Sequence, residues 1–363
     1  MVEPEEPIAD PIAGKVIDLH SHLYPPRYMD LLRGRSEAPR VIERGAKEYL
    51  AVLPGRDDRA DAGRLIDPSY WSTEAKIAFM DRSGIDVSVV SPPNPWLYFL
   101  PADQAIEMAR LLNQDLEQMA RASGGRLFAL GVLPTTADAA ACVAELERIA
   151  ALAHLRGIIL STHGLGKGLD DPALEPVWVA LCAHDLTVFV HPHSGIGQEH
   201  YAAYGYVLYL ALGFTFETTI EAAKMALAGV LQRHAGLKLL LAHGGGTIPF
   251  LAGRIEACLA HDEVLDAEQR APAPQAALRG AIYDAVTYSA QALRLVVDFA
   301  GRDKVVFGTD HPFSISEAAT ILGTIDELAE SDVVGPEPEE KARLRAQLRG
   351  DNAARLLSLP RSA

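Results

Sequence analysis

Eight short apolar runs, each followed by a helical pattern, constrain this chain more than any other feature. They fall at 16–22, 87–91, 127–133, 155–161, 187–193, 237–243, 282–289 and 305–310. All are rich in β-branched and other apolar residues with little polar alternation, as in strands buried on both faces of a parallel sheet. Amphipathic stretches such as 137–153, 176–184, 218–234 and 290–300 lie between them. Alternation repeated eight times predicts an α/β fold. It favours a closed (β/α)8 TIM barrel over the competing doubly wound open sheet. The 363 residues suit one domain, 1–363, if its loops carry insertions. One insertion, about 23–71, is too long for an ordinary loop and has its own apolar run at 49–53, so it is expected to fold over the barrel mouth. A second, about 261–280 with Pro272 and Pro274, precedes the seventh strand. A closing helix is expected at about 341–357, with a loose tail beyond it.

Composition narrows the partners. A net charge of −15 argues against nucleic acid or an anionic membrane surface. It leaves room for a small anionic substrate where metal and Arg reverse the local field. Three distant cysteines, Cys142, Cys182 and Cys258, suggest neither a disulfide framework nor a thiolate metal site, and point to a reducing cytoplasm. The acidic, Pro-rich start lacks the features of a secretory signal. The uncharged run at 201–216 is shorter than the roughly 20 residues that span a bilayer.

The chemistry sits where the strands end. The first run closes on Asp18-Leu19-His20-Ser21-His22, and residues two apart on a strand share a face, so His20 and His22 can address one ion. The fifth closes on His191-Pro192-His193, the sixth on His243-Gly244-Gly245-Gly246, and the eighth on Asp310-His311-Pro312-Phe313. The C-terminal ends of barrel strands are where such folds assemble their sites. Taken singly, a HxH pair is often incidental and a strand-end Asp is usually a turn or cap residue. Four strand ends together predict one divalent metal held by His20, His22, His191 and Asp310, with His243 close by as an acid/base or substrate contact. Three imidazoles and a carboxylate suit Zn²⁺ first, with Mn²⁺ or Fe²⁺ as alternatives. No organic cofactor is expected: the Gly-rich 164–168 stretch runs into Leu169-Asp170-Asp171-Pro172, which fits neither phosphate-loop nor dinucleotide patterns. The Gly244–Gly246 run is expected to turn the chain tightly rather than cradle an anion, and no G-x-S-x-G nucleophile occurs. His193 is open between a wall and a supporting role, His311 should point away from the ion, and His154, His184, His234 and His261 read as surface or packing residues.

The HxH, HPH, AHGGG and GTDHPF motifs resemble the amidohydrolase superfamily, in its branch of amino-carboxymuconate-semialdehyde decarboxylases, over 16 to about 357. Longer strings are most similar to the isoorotate decarboxylases, which convert 5-carboxyuracil to uracil. They include Tyr24-Pro25-Pro26, Asn94-Pro95-Trp96, Ala211-Leu212-Gly213-Phe214 and Phe250-Leu251-Ala252-Gly253-Arg254. The resemblance implies the ligand set already named, Arg64 as a clamp on an anionic substrate, and Asn94, Phe214, His243 and Phe313 around the ring. It also implies a homodimer. Binuclear members carry a Lys on the fourth strand, where this chain reads Gly157-Ile158-Ile159-Leu160-Ser161, so a single metal is expected. Pro92-Pro93 before Asn94 and a weakly matching first insertion depart from the pattern and bear on the choice of substrate.

The expected reaction is release of CO2 from an aromatic or heteroaromatic acid, with Asp310 protonating the ring carbon and Arg64 and His243 assisting. The alternative from the same residues is a metal-dependent hydrolase or hydratase acting on a lactone, amide or enol acid. A barrel kept as a non-catalytic binding protein is the remaining reading.

Overall fold

The computed structural model describes residues 14–53, 57, 63–266, 272–331 and 337–359. Strand β1 (Ile17–His22) is followed by three short strands, β2 (Arg40–Arg44), β3 (Lys47–Ala51) and β4 (Arg64–Ile66). Seven more follow: β5 (Val87–Ser91), β6 (Leu127–Gly131), β7 (Leu155–Ser161), β8 (Thr187–His191), β9 (Lys238–Leu241), β10 (Ile282–Asp284) and β11 (Val305–Val306). The eight expected runs form one parallel sheet in the order β1-β5-β6-β7-β8-β9-β10-β11. Backbone bonds from Leu19 N to Phe307 O (3.0 Å), Thr309 N to His20 O (3.1 Å) and His22 N to His311 O (2.8 Å) join its two edges, completing the TIM barrel.

Strand periodicity sorts the apolar residues. On β8, Val188 and Val190 pack into the outer core with helix residues such as Leu181 and Met225. Phe189, of opposite parity, clusters with Ile159 and Leu240, and its ring lies 4.8 Å from that of His20. The inner face of the cylinder thus carries large apolar side chains below the histidines, with buried Asp18 and Thr187 among them. Helices cover the outside for local reasons: Ser72 caps the helix Thr73–Ser83 by accepting the Ala75 N–H, and Asp138 and Ser289 do the same for Ala139–Ala150 and Ala290–Ala300.

Several boundaries differ from expectation. The sixth, seventh and eighth runs leave the sheet early, at Leu241, Asp284 and Val306, because the residues beyond them turn back to build the site. The helix expected at 218–234 begins at Phe214 and stops at Leu227; Gly229 then takes a left-handed φ of 71° before a short turn Val230–Arg233. The closing helix becomes two α segments, Pro338–Ala346 and Asn352–Leu356, joined by a π turn Gln347–Asp351. The Asn352 amide donates to Arg302 O and Val305 O (2.8 and 2.7 Å), drawing the chain onto β11 at that point.

After β1 the chain folds as the helix Pro26–Arg33 and an antiparallel β2-β3-β4 sheet, and Leu50, Val52, Leu53 and Arg64 from this segment line the cavity at the barrel's C-terminal end. The 261–280 region holds the end of one helix and the short helix Pro274–Arg279, and 267–271 lie outside the described residues. So do the N-terminal 1–13 and the tail from 360.

Candidate metal centre

Four side chains from three strand ends meet: His20 and His22 on β1, His191 on β8 and Asp310 beyond β11. One donor atom each of His20, His22, His191 and Asp310 lies within 4.8 Å of all the others. Every imidazole is oriented through its other nitrogen. His20 Nδ1 is 2.6 Å from Asp284 Oδ2, His22 Nδ1 is 3.0 Å from Ser91 Oγ, and His191 Nδ1 donates to Pro192 O at 2.9 Å. That leaves the three Nε2 atoms facing inward, those of His20 and His191 buried without a hydrogen-bond partner. Asp310 Oδ1 lies 3.4 Å from His20 Nε2 and 3.2 Å from His22 Nε2. Convergent, orphaned nitrogens with their outer positions fixed are the donor set of a divalent cation. The residues fit such an ion.

Backbone geometry at two corners of the site is unusual. His243 and Asp310 both adopt left-handed conformations (φ 56° and 57°). Each lies just beyond a strand, His243 two residues after β9 and Asp310 four residues after β11, and both line the cavity. Strain of this kind persists where the surroundings over-determine it. For Asp310 they do: its own N–H donates to His20 O (2.7 Å), and the preceding Thr309 is held by Asp18 through N (3.0 Å) and Oγ1 (2.6 Å). For His243, Asp284 accepts the backbone N–H of both His243 and Gly244 at 2.8 Å.

The electrostatics fit the same picture. Burial pushes His22 down to about 4, and burial together with the surrounding imidazoles holds His191 well below its usual range. Burial also disfavours charge on His20, but the carboxylates of Asp310 and Asp284 outweigh it and raise His20 to about 10. Burial works against the Asp310 carboxylate too, yet His20, His22 and His243 hold it well below the normal carboxylate range. Without a metal, then, the centre carries one imidazolium between two carboxylates.

Above these residues lies a cavity of about 400 Å³, within the range of small-molecule sites. Asn94, Arg64, Phe214, His243 and Phe313 all line it, together with His22, His191 and Asp310. The Arg64 guanidinium sits 5.2 Å over the Phe313 ring, and His243 Nε2 is 3.7 Å from Asp310 Oδ2. Asn94 Nδ2 donates to His193 O at 3.0 Å. His193 itself packs among Trp96, Tyr98 and His163, so it supports the wall through its backbone. His311 points away, stacked on Phe79 at 3.7 Å. His154 and His234 pair with Glu117 and Glu175.

Sequence reasoning missed Asp284, Ser91 and Lys76. Asp284 lay inside a run read as an ordinary strand, and a carboxylate in an apolar run was the available signal. Lys76, on the helix Thr73–Ser83, is wholly buried, with Nζ 2.8 Å from Ser21 Oγ and 3.0 Å from His311 O. Tyr206, Tyr209 and Tyr288 also line the cavity.

The chain aligns with an isoorotate decarboxylase (IDCase) of Metarhizium anisopliae with a TM-score of 0.86 at 38% identity, covering 95% of this chain and 97% of that one. It is 28% identical over 320 residues to the 2-amino-3-carboxymuconate-6-semialdehyde decarboxylase of Dictyostelium discoideum, with 87% of each chain covered. It is 26% identical over 302 residues to the gamma-resorcylate decarboxylase of Rhodococcus jostii, covering 75% of this chain and 89% of that protein. The amidohydrolase family model matches residues 17–359, and with the metal-ligand geometry already in view the chain belongs to the amidohydrolase family.

Proposed function

We propose that this protein is a metal-dependent non-oxidative carboxy-lyase that removes CO2 from an aromatic or heteroaromatic acid. One observation carries the reading: a cation-binding floor, a guanidinium and two phenyl rings line the same cavity. His20, His22, His191 and Asp310 would hold one Zn²⁺ or Mn²⁺, which supplies positive charge to the substrate's carboxylate and the neighbouring ring oxygen.

The remaining work falls to side chains. Arg64 binds the anionic edge through charge-assisted hydrogen bonds. Phe214 and Phe313 flank the ring and exclude water, and Asn94, its Nδ2 committed to His193 O, offers its carbonyl oxygen to a ring N–H or hydroxyl. Direct cleavage of the C–CO2⁻ bond would leave an unstable sp² carbanion, so protonation comes first. Asp310 donates a proton to the ring carbon that bears the carboxylate. The C–C bond then breaks, its electron pair returns to the ring, and CO2 leaves. Against the effect of burial, the imidazoles of His20, His22 and His243 hold the Asp310 carboxyl well below the usual carboxylate range. A substrate carboxylate beside it raises its proton affinity, because like charges disfavour ionisation. His243, 3.7 Å away, returns the proton from solvent afterwards.

The preferred substrates are 5-carboxyuracil-like or hydroxybenzoate-like acids. The partner is proposed to be a second copy of the chain in a homodimer: Tyr204, Val207, Phe216 and Phe250 expose large apolar side chains. Cytoplasmic residence is proposed from the cysteine pattern; among the described residues no helix is long and apolar enough to cross a membrane.

The deciding experiment offers the metal-loaded protein 5-carboxyuracil, hydroxylated benzoates and carboxyvanillate-type acids, and measures CO2. Release from at least one acid, lost on chelation and regained with Zn²⁺ or Mn²⁺, is expected. Hydrolysis of a lactone or amide with no CO2 from any acid would overturn the lyase reading. Asp310→Asn is expected to lower kcat by at least 10³-fold with ring-acid binding retained, measured by single-turnover assay and equilibrium titration. Near-normal turnover would remove Asp310 as the proton donor.

A further inference from the structure

Lys76 is a basic side chain with no access to solvent. It is fully buried on the helix Thr73–Ser83, outside the barrel wall and behind the metal ligands. A buried ammonium is costly unless its environment compensates it, and an apolar side chain of the same size commonly serves stability as well or better. What Lys76 touches is therefore informative. Its Nζ lies 2.8 Å from Ser21 Oγ, 2.6 Å from His311 Nδ1 and 3.0 Å from His311 O. Ser21 stands between the ligands His20 and His22. His311 directly follows the ligand Asp310. Burial pushes Lys76 down to about 7, against the pull of the Asp18 and Asp310 carboxylates.

The two segments it joins are the first and last of the barrel. β1 and the chain beyond β11 meet at the seam that closes the cylinder, where only a handful of backbone bonds connect them. The ligand set straddles that seam: two donors on β1 and the carboxylate on the 308–313 turn. Phe79, from the same helix as Lys76, stacks on His311 at 3.7 Å and fixes the ring that offers Nδ1. One helix thus grips the turn carrying Asp310 by a flat ring contact and by an ammonium that also reaches β1.

We propose that Lys76 is a positioning residue for the metal centre: by bridging Ser21 to His311 it sets the distance between the His20/His22 pair and Asp310. It touches neither ion nor substrate and acts only through those two residues. The inference rests on the metal-site reading above and extends it to a residue outside the cavity.

The test compares wild type, Lys76→Met, Ser21→Ala and the double variant. Zn²⁺ affinity is read by competition with a chromophoric chelator, and thermal stability is read on the apo proteins. Supporting residues behind metal ligands typically contribute 10–100-fold in affinity or activity. Lys76→Met is expected to weaken Zn²⁺ binding within that range, and Ser21→Ala severalfold. The double variant should lose less than the product of the two, because both changes break one bridge. Unchanged affinity in Lys76→Met, or losses that multiply independently, would overturn the proposal, as would a fall in apo stability with no change in affinity. If Lys76→Met does not fold, Ser21→Ala alone decides: affinity equal to wild type overturns the bridge. A wild-type chain that takes up no metal overturns the metal-site reading and this inference together. One that takes up metal but releases no CO2 overturns only the lyase reading, and the affinity comparison stands.

Discussion

Asp284 makes four hydrogen bonds with two oxygen atoms. Oδ2 holds His20 Nδ1 at 2.6 Å and also accepts the His243 N–H, while Oδ1 accepts the N–H of Gly244 and Val286. It thereby fixes which nitrogen of His20 faces His22, His191 and Asp310 and, through the backbone, where the His243 ring begins. Asp284→Asn keeps the size but removes the charge and can place an NH2 against the imidazole N–H. Metal affinity is expected to drop 10–100-fold, measured by chelator competition, and a variant that binds as tightly as wild type would show that burial alone orients His20. Arg64 belongs to a different class of residue, reaching the site from β4 with its guanidinium over Phe313. Its loss should raise KM for the acid substrate and spare metal binding.

At the level of elements, the seam between β1 and β11 is packed too closely for a side chain. A Cβ on Gly308 would lie 2.4 Å from the His20 Cβ. Gly308→Ala must push β11 away from β1 and with it move Asp310 relative to His20. A destabilisation of about 1–3 kcal/mol is expected from overpacking, with weaker metal binding, read by urea unfolding and by metal titration. Gly323, exposed in the helix Ala318–Glu330 with nothing near its missing Cβ, is the control. Gly323→Ala should stabilise by about 1 kcal/mol, since Ala outranks Gly in a helix interior. The eight runs and the His20, His22, His191 and Asp310 cluster were legible in the sequence because they depend on local pattern: β1 places His20 and His22 two apart, and apolar runs mark doubly buried strands. What could not be read depends on through-space partners. Lys76 in Glu74-Ala75-Lys76-Ile77-Ala78 looks like any surface lysine of an amphipathic helix, and its burial follows only from how that helix docks on the seam. Ser91 gives no signal until β5 is laid beside β1, where it pairs with His22. The early strand endings are hidden for the same reason: Leu241 and His243 are continuous in sequence pattern, yet the acceptors of Asp284 turn the chain between them.

For the whole molecule these local charges combine into a pH dependence that differs between the apo and metal-loaded protein. His193, lowered by burial to about 3, and His22, at about 4, are neutral in the native state through most of the acid range. In the unfolded chain each takes up a proton near 6.5. Below that pH the unfolded state binds more protons, so apo stability falls as pH drops from about 6.5 towards 3–4. His20 works in the opposite direction. Burial lowers its proton affinity, but Asp310 and Asp284 more than reverse this and set it at about 10. Its contribution is complete below the unfolded value and is lost as pH rises through the folded one, but Lys76, pushed down by burial to about 7, adds stability over nearly the same interval, so the two offset each other between about 7 and 10. The apo protein should therefore lose stability mainly on the acid side of about pH 6.5. A metal must displace that same His20 proton, because imidazole ligates only when its nitrogen is free. Affinity should therefore strengthen by about tenfold per pH unit across pH 7–9, as one proton is released per ion bound. The gain in unfolding temperature on adding Zn²⁺ should widen across the same interval. Calorimetric titration in two buffers of different ionisation heat counts the proton directly. A pH-independent affinity between 7 and 9 would show that His20 is already neutral in the apo centre, and the charge balance assigned to Asp310 and Asp284 would have to be redrawn.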